Sequence, residues 1–126
     1  MLSVLDTSVL IGTHNEPIEG DLAISAVSIA ELEFGVLVTE DPHKRAVRLA
    51  RLSALLRNFD PLPVDSYVAA SYGQLAALTQ ASGRKARARC LDLMIAATAH
   101  AHGARLITSN VADFSYLSEV LHIVEY

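Results

Sequence analysis

The sequence holds one cysteine, Cys90, and no tryptophan. A lone cysteine rules out an intrachain disulfide and any zinc site built on paired cysteines; its ordinary use is as a small buried hydrophobe. No apolar run reaches the length of a bilayer span, and the start lacks a basic region followed by a long apolar stretch. No membrane partner is expected, and the expected location is the cytoplasm. A basic excess is missing too: Lys and Arg number 10 against 14 Asp and Glu, a net charge of −4. A protein that grips phosphates usually shows a basic excess. A nucleic-acid role here therefore needs grouped basic residues and metal ions to offset the carboxylates. There is no phosphate-cradling glycine loop and no Ser/His/Asp arrangement. His100 and His102 stand two apart on a helix and face different ways, so they read as structural or surface residues; His14, His43 and His122 are isolated.

What is present is apolar material: 52% of the 126 residues are hydrophobic. That is enough for one sizeable core and one domain over residues 1–126. No repeat, low-complexity tract or long linker divides the chain. "LSVL" (2–5), "DLAI" (21–24), "RLIT" (105–108) and "LHIV" (121–124) read as short strands, and "PLPV" (61–64) as an extended piece. "SAVSIAELEFGVL" (25–37) has helical spacing, with Ser28 and Glu31 fitting a capping box. Asp41-Pro42 starts a helix running to about Phe59, with Leu52, Leu55, Leu56 and Phe59 on one face. Asp65 or Ser66 starts another to about Ala81, in which Tyr67, Tyr72, Leu75 and Leu78 extend the core or form a dimer face. "CLDLMIAATAHA" (90–101) is a third, ended by Gly103. Thr7 or Ser8 is placed to cap a short helix after the first strand. Strands alternating with helices predict a parallel sheet covered on both faces. In such sheets functional groups gather at the carboxyl ends of the strands.

Four acids follow that rule. Asp6 ends the first strand, Glu31 lies early in the helix after the second, Asp92 opens the apolar helix, and Asp113 trails the strand "RLIT". Each has an ordinary alternative: Asp6 taking helix-start amides, Glu31 completing the capping box, Asp113 sitting in a turn. Asp92 could complement the positive end of its helix, worth roughly 0.3–1 kcal/mol, and that dipole would lower its pKa. Gathered together, however, two carboxylates about 4 Å apart repel by roughly 4 kcal/mol at an effective dielectric of 20. Such a cluster raises some of its pKa values and invites a cation. Oxygen ligands without cysteine or paired histidines favour Mg²⁺ or Mn²⁺, and such a site suits phosphodiester chemistry.

The segments "LDTSVL", "AVSIAELEFGV", "RARCLDLMIAATAHAHG" and "RLITSNVADF" occur in order across nearly the whole chain. Together they resemble the PIN-domain family and, within it, the VapC-like toxins of toxin–antitoxin pairs. The resemblance implies a three-layer α/β/α sandwich with a central parallel sheet and a metal-dependent endoribonuclease, with tRNA or rRNA as the expected target. It carries the catalytic roles to Asp6, Glu31, Asp92 and Asp113, with Asp6 and Asp92 as the metal ligands for Mg²⁺ or Mn²⁺. Thr108 and Asn110 belong to the polar set of the last motif. Many family members keep an acid where Asn110 stands, which shifts the weight to Asp113. Thr7 and Ser8 position water or steady Asp6. On this reading a water activated at the site, losing its proton to Glu31 or Asp113, attacks phosphorus in line.

Arg84, Lys85, Arg87 and Arg89 in "RKARAR" adjoin the proposed site and are expected to contact RNA phosphates. Lys44, Arg48 and Arg51 form a basic stripe on one helix that reads as a solvated face. The resemblance also implies a homodimer and a VapB-like antitoxin in a larger toxin–antitoxin assembly. The antitoxin's tail would cover the acidic pocket with a basic side chain. The competing reading is a catalytically silent PIN-like module that binds RNA or protein. A phosphotransfer domain fits poorly, because Ser8 stands where a second aspartate is wanted. A receiver-like domain fits poorly too, the only lysines being Lys44 and Lys85.

Overall fold

Among the described residues four short strands form one sheet in the order β2-β1-β3-β4, every neighbouring pair parallel. They are β1 (Leu2–Leu5), β2 (Asp21–Ile24), β3 (Arg105–Thr108) and β4 (Ile123–Glu125). The structure is a computed structural model that describes residues 1–13 and 15–126; His14 lies outside the described residues. Among the described residues five α-helices accompany the sheet: α1 (Thr7–Ile11), α2 (Ala26–Val38), α3 (Pro42–Asn58), α4 (Ser66–Ala81) and α5 (Cys90–Ala101).

Alternation along the strands sends side chains to two separate cores. Val4 and Leu106 point into one, with Val27 of α2, Val68 and Leu75 of α4, and the apolar body of α5. Leu5, Ile24 and Ile107 point into the other, against Val9 and Leu10 of α1 and Leu55 of α3. Both faces of the sheet are thus covered, giving the expected three-layer α/β/α sandwich. Asp41 caps α3, its carboxylate accepting from the amides of His43 and Lys44, and Asp65 caps α4 by accepting from Val68. Gly103, at φ +60°, follows α5 in the left-handed region that glycine tolerates best.

Several expectations shift. α2 begins one turn earlier than the Ser28–Glu31 pattern suggests. Ser25 is the cap, accepting from Val27 at 3.0 Å, while Ser28 is fully buried inside the helix. The reason is non-local: Leu62, in the extended piece, accepts from the Ala26 amide and donates to Ile24, so the helix must start as β2 ends. Neither Thr7 nor Ser8 caps α1; Asp6 occupies the cap position, and its side chain makes no cap hydrogen bond. β4 starts at Ile123 rather than Leu121, because Leu121 is spent in the core before pairing with Leu106 begins. Leu56, Tyr67 and Leu78 are exposed, so they add nothing to the core.

The strand register is what positions the acids. Leu5 pairs with both Ile24 and Ile107, so the next residues, Asp6, Ser25 and Thr108, emerge along one edge. The chain passes from β1 to β2 on one side and returns as β3 on the other. That reversal makes the crevice beyond β1 the natural site in a sheet of this kind.

Candidate active site

Asp6 stands at that crevice, 4% exposed. A buried carboxylate needs partners, and two hydroxyls supply them: Ser8 Oγ and Thr108 Oγ1 each donate to Asp6 Oδ2 at 2.8 Å. Those hydroxyls are fixed in turn by the Ser109 amide, which donates to Ser8 Oγ at 3.1 Å, and the Asn110 amide, which donates to Thr108 Oγ1 at 3.0 Å. All of this support falls on one oxygen. Among the described residues no hydrogen bond engages Asp6 Oδ1.

Glu31 faces the crevice from the second turn of α2. Thr7 Oγ1 donates to Glu31 Oε1 at 2.8 Å, and the Ser28 hydroxyl, 2.8 Å from the same Thr7 oxygen, donates to it in turn. Ser8 therefore steadies Asp6 as expected, whereas Thr7 serves Glu31.

Asp92 lies half-buried in the first turn of α5, whose start carries no side-chain cap. Its carboxyl is held above the ordinary aspartate range, first by burial and then by the charges of Asp6, Glu31 and Asp113, with Arg89 opposing. This reverses the expectation that the helix dipole lowers its pKa; desolvation and three like charges outweigh the dipole. Carboxylates from three other segments, those of Asp6, Glu31 and Asp113, thus each raise that pKa. Asp113 closes the short 3₁₀ turn Val111–Asp113 and is exposed, as is Asn110.

Among the described residues no three His, Cys, Asp or Glu side chains form a ready-made metal cage. The donor set is carboxylate oxygen throughout, with its negative charge only partly offset. That chemistry fits a hard divalent cation that keeps most of its waters and takes one or two carboxylates, the usual habit of Mg²⁺.

The 84–89 cluster divides in two. The Arg84 guanidinium lies over the Tyr116 ring, 4.2 Å from its centre, with that of Arg89 6.0 Å away; Tyr116 is itself tied to Thr79 by a 2.8 Å hydroxyl contact. Arg89 also donates to the Asp113 carbonyl at 3.1 Å, fixing that loop. Arg87 and Arg89 line a crevice shared with Glu31 and Asp92; Lys85 is exposed. Cys90 is half-buried rather than buried, and its thiol, followed by burial, holds the Tyr72 phenol above its ordinary range. His100 Nδ1 meets Ser71 Oγ at 2.8 Å, the structural role expected of it.

Two residues read as solvated belong to this region. Arg48 and Arg51 line a second cavity with Thr7, Ile11 and Glu31. Their three-residue spacing shows a common helix face but not that the face turns toward the acids. The Tyr116 stack likewise leaves no signal in the sequence.

A family model described as "PIN domain" matches residues 3–120. Ribonuclease VapC5 of Mycobacterium tuberculosis is 38% identical over 120 residues, which cover 90% of this chain and 86% of that protein. Ribonuclease VapC4 of the same organism is 32% identical over 124 residues, 94% of this chain and 92% of its own. Among solved structures, VapBC-5 from Mycobacterium tuberculosis, a member of the VapBC family of toxin–antitoxin systems, superposes with a TM-score of 0.85 at 35% identity. The match covers 98% of this chain and 96% of that one.

Proposed function

The chain belongs to the PIN-domain family and, within it, to the VapC ribonucleases, and from that premise we propose that it is the endoribonuclease toxin of a toxin–antitoxin pair. Asp6 and Asp92 hold Mg²⁺ or Mn²⁺, Glu31 and Asp113 complete the site, and a VapB-like antitoxin restrains it. The toxin works as a homodimer within a larger assembly, on tRNA or rRNA. No described helix is long and apolar enough to cross a membrane, and the cytoplasm is the proposed location. The observation that carries the reading is the pressure on Asp92 from three carboxylates delivered by separate segments. A silent binding module has no need to keep such a self-repelling group.

A divalent ion bound there supplies Lewis-acid chemistry: it makes water a nucleophile near neutral pH and offsets charge on the phosphate. The residues do the rest. Asp6 offers Oδ1, its other oxygen being held by Ser8 and Thr108. Glu31 is oriented through Oε1 by Thr7 and takes the proton of the attacking water at Oε2. Asp113, held near Asp92 by the Arg89 tether, adds charge to the site. Arg87 and Arg89 take the flanking phosphates of the RNA.

The test is cleavage of structured RNA by the purified chain freed of antitoxin. Activity is expected with Mg²⁺ or Mn²⁺, and EDTA or Asp92→Asn should abolish it. Undiminished cleavage by Asp92→Asn would remove Asp92 from the site.

A further inference from the structure

Glu31 lies at a meeting point. On one side it shares a crevice with Arg87, Arg89 and Asp92; on the other it shares a cavity with Thr7, Ile11, Arg48 and Arg51. Arg48 is already committed, its Nη1 donating to the Gly35 carbonyl at 2.7 Å, which stitches α3 to α2. Arg51 is not: it is half-buried, yet no hydrogen bond or ion pair engages its guanidinium among the described residues. A half-buried cation without a partner, one wall away from a carboxylate cluster, is placed for an anion that arrives with the substrate.

We infer that the cavity between α1, α2 and α3 is a second phosphate subsite, in which Arg51 takes a backbone phosphate of an RNA strand lying across Glu31. This rests on the ribonuclease reading and adds the path of the strand. A polyanion whose reacting phosphate sits among carboxylates is repelled at the centre, so cations must hold it on both flanks. Arg87 and Arg89 serve one flank. Arg51 serves the other, with the Arg48–Gly35 bond keeping α3 close enough for it to reach. The planar guanidinium fork suits phosphate oxygens.

The full-length Asp92→Asn protein, which retains the subsite but is silenced for cleavage, is titrated with a short fluorescent single-stranded RNA of mixed sequence from about 50 to about 200 mM KCl. Adding Arg51→Gln should weaken binding about tenfold, the loss of one charge-assisted hydrogen-bonding group, and flatten the log–log salt slope by about 0.7. Arg57→Gln, at the far end of α3, should change neither, and melting curves should show all variants folded. Unchanged affinity and salt slope in the Arg51→Gln protein would overturn the subsite, as would RNA that fails to bind at all. Cleavage by the parent protein is scored separately. A parent that cleaves while Arg51 proves indifferent keeps the ribonuclease reading and loses only the subsite. A parent that never cleaves, although Arg51 governs binding, loses the catalysis and keeps the subsite.

Discussion

Asp6 and Asp92 act on each other electrostatically but are supported in opposite ways. Asp6 is the more buried of the two, yet its charge rests on two hydroxyls that are themselves fixed by backbone amides. Asp92 is less buried, stands on a rigid apolar helix, and is pressed by three other carboxylates. One carboxylate is satisfied by the protein's own hydroxyls; the other carries a charge that the protein opposes. The difference teaches that burial alone does not set a carboxylate's cost: the hydrogen bonds and charges around it do.

The largest structural effect should come from breaking the support of the satisfied carboxylate. Thr108→Val removes one of two donors to a buried carboxylate and strands the Asn110 amide, so urea unfolding should show a loss of about 1–3 kcal/mol. Little or no loss would mean that Asp6 does not depend on this web.

The opposed carboxylate should respond with the opposite sign. Because the native state holds the Asp92 carboxyl above its ordinary range, the ionised form costs stability at neutral pH. Asp92→Asn should therefore raise the melting temperature of the metal-free protein, by less than Thr108→Val lowers it. A fall on thermal melting would contradict the like-charge account.

The smallest effect is the pH dependence of that gain. As pH falls through the raised folded-state value, native Asp92 takes up a proton that the unfolded chain does not yet bind, and the cost fades. The difference in melting temperature between Asp92→Asn and the parent should shrink with acidification and level off at ordinary aspartate pH. A constant difference from neutral to acid pH would assign the gain to something other than charge.

Much of the molecule is legible in its sequence, for physical reasons that differ by element. The strands 2–5, 21–24 and 105–108 and the caps at Asp41 and Asp65 are local features, and they appear where their patterns put them. The strand-end rule also places Asp6 at the carboxyl edge of the sheet, beside Thr108 at the end of β3. What sequence does not carry is pairing at a distance. The start of α2 is set by Leu62, and that of β4 by Leu106. Thr7 serves Glu31 rather than Asp6 because α1 and α2 meet across the sheet edge. Arg51 reads as solvated because nothing in its own helix reveals that α3 leans toward α2. The sign of the Asp92 shift is equally hidden, since dipole and like charges compete and only their relative placement decides.

The proposed activity rests on a divalent cation bound by Asp6 and Asp92. A calorimetric titration of Mn²⁺ into the metal-free parent, Asp6→Asn and Asp92→Asn proteins tests this most directly. Binding by the parent, weakened at least about tenfold in each variant, is the predicted result. Equal Mn²⁺ affinity in the parent and Asp92→Asn would contradict it.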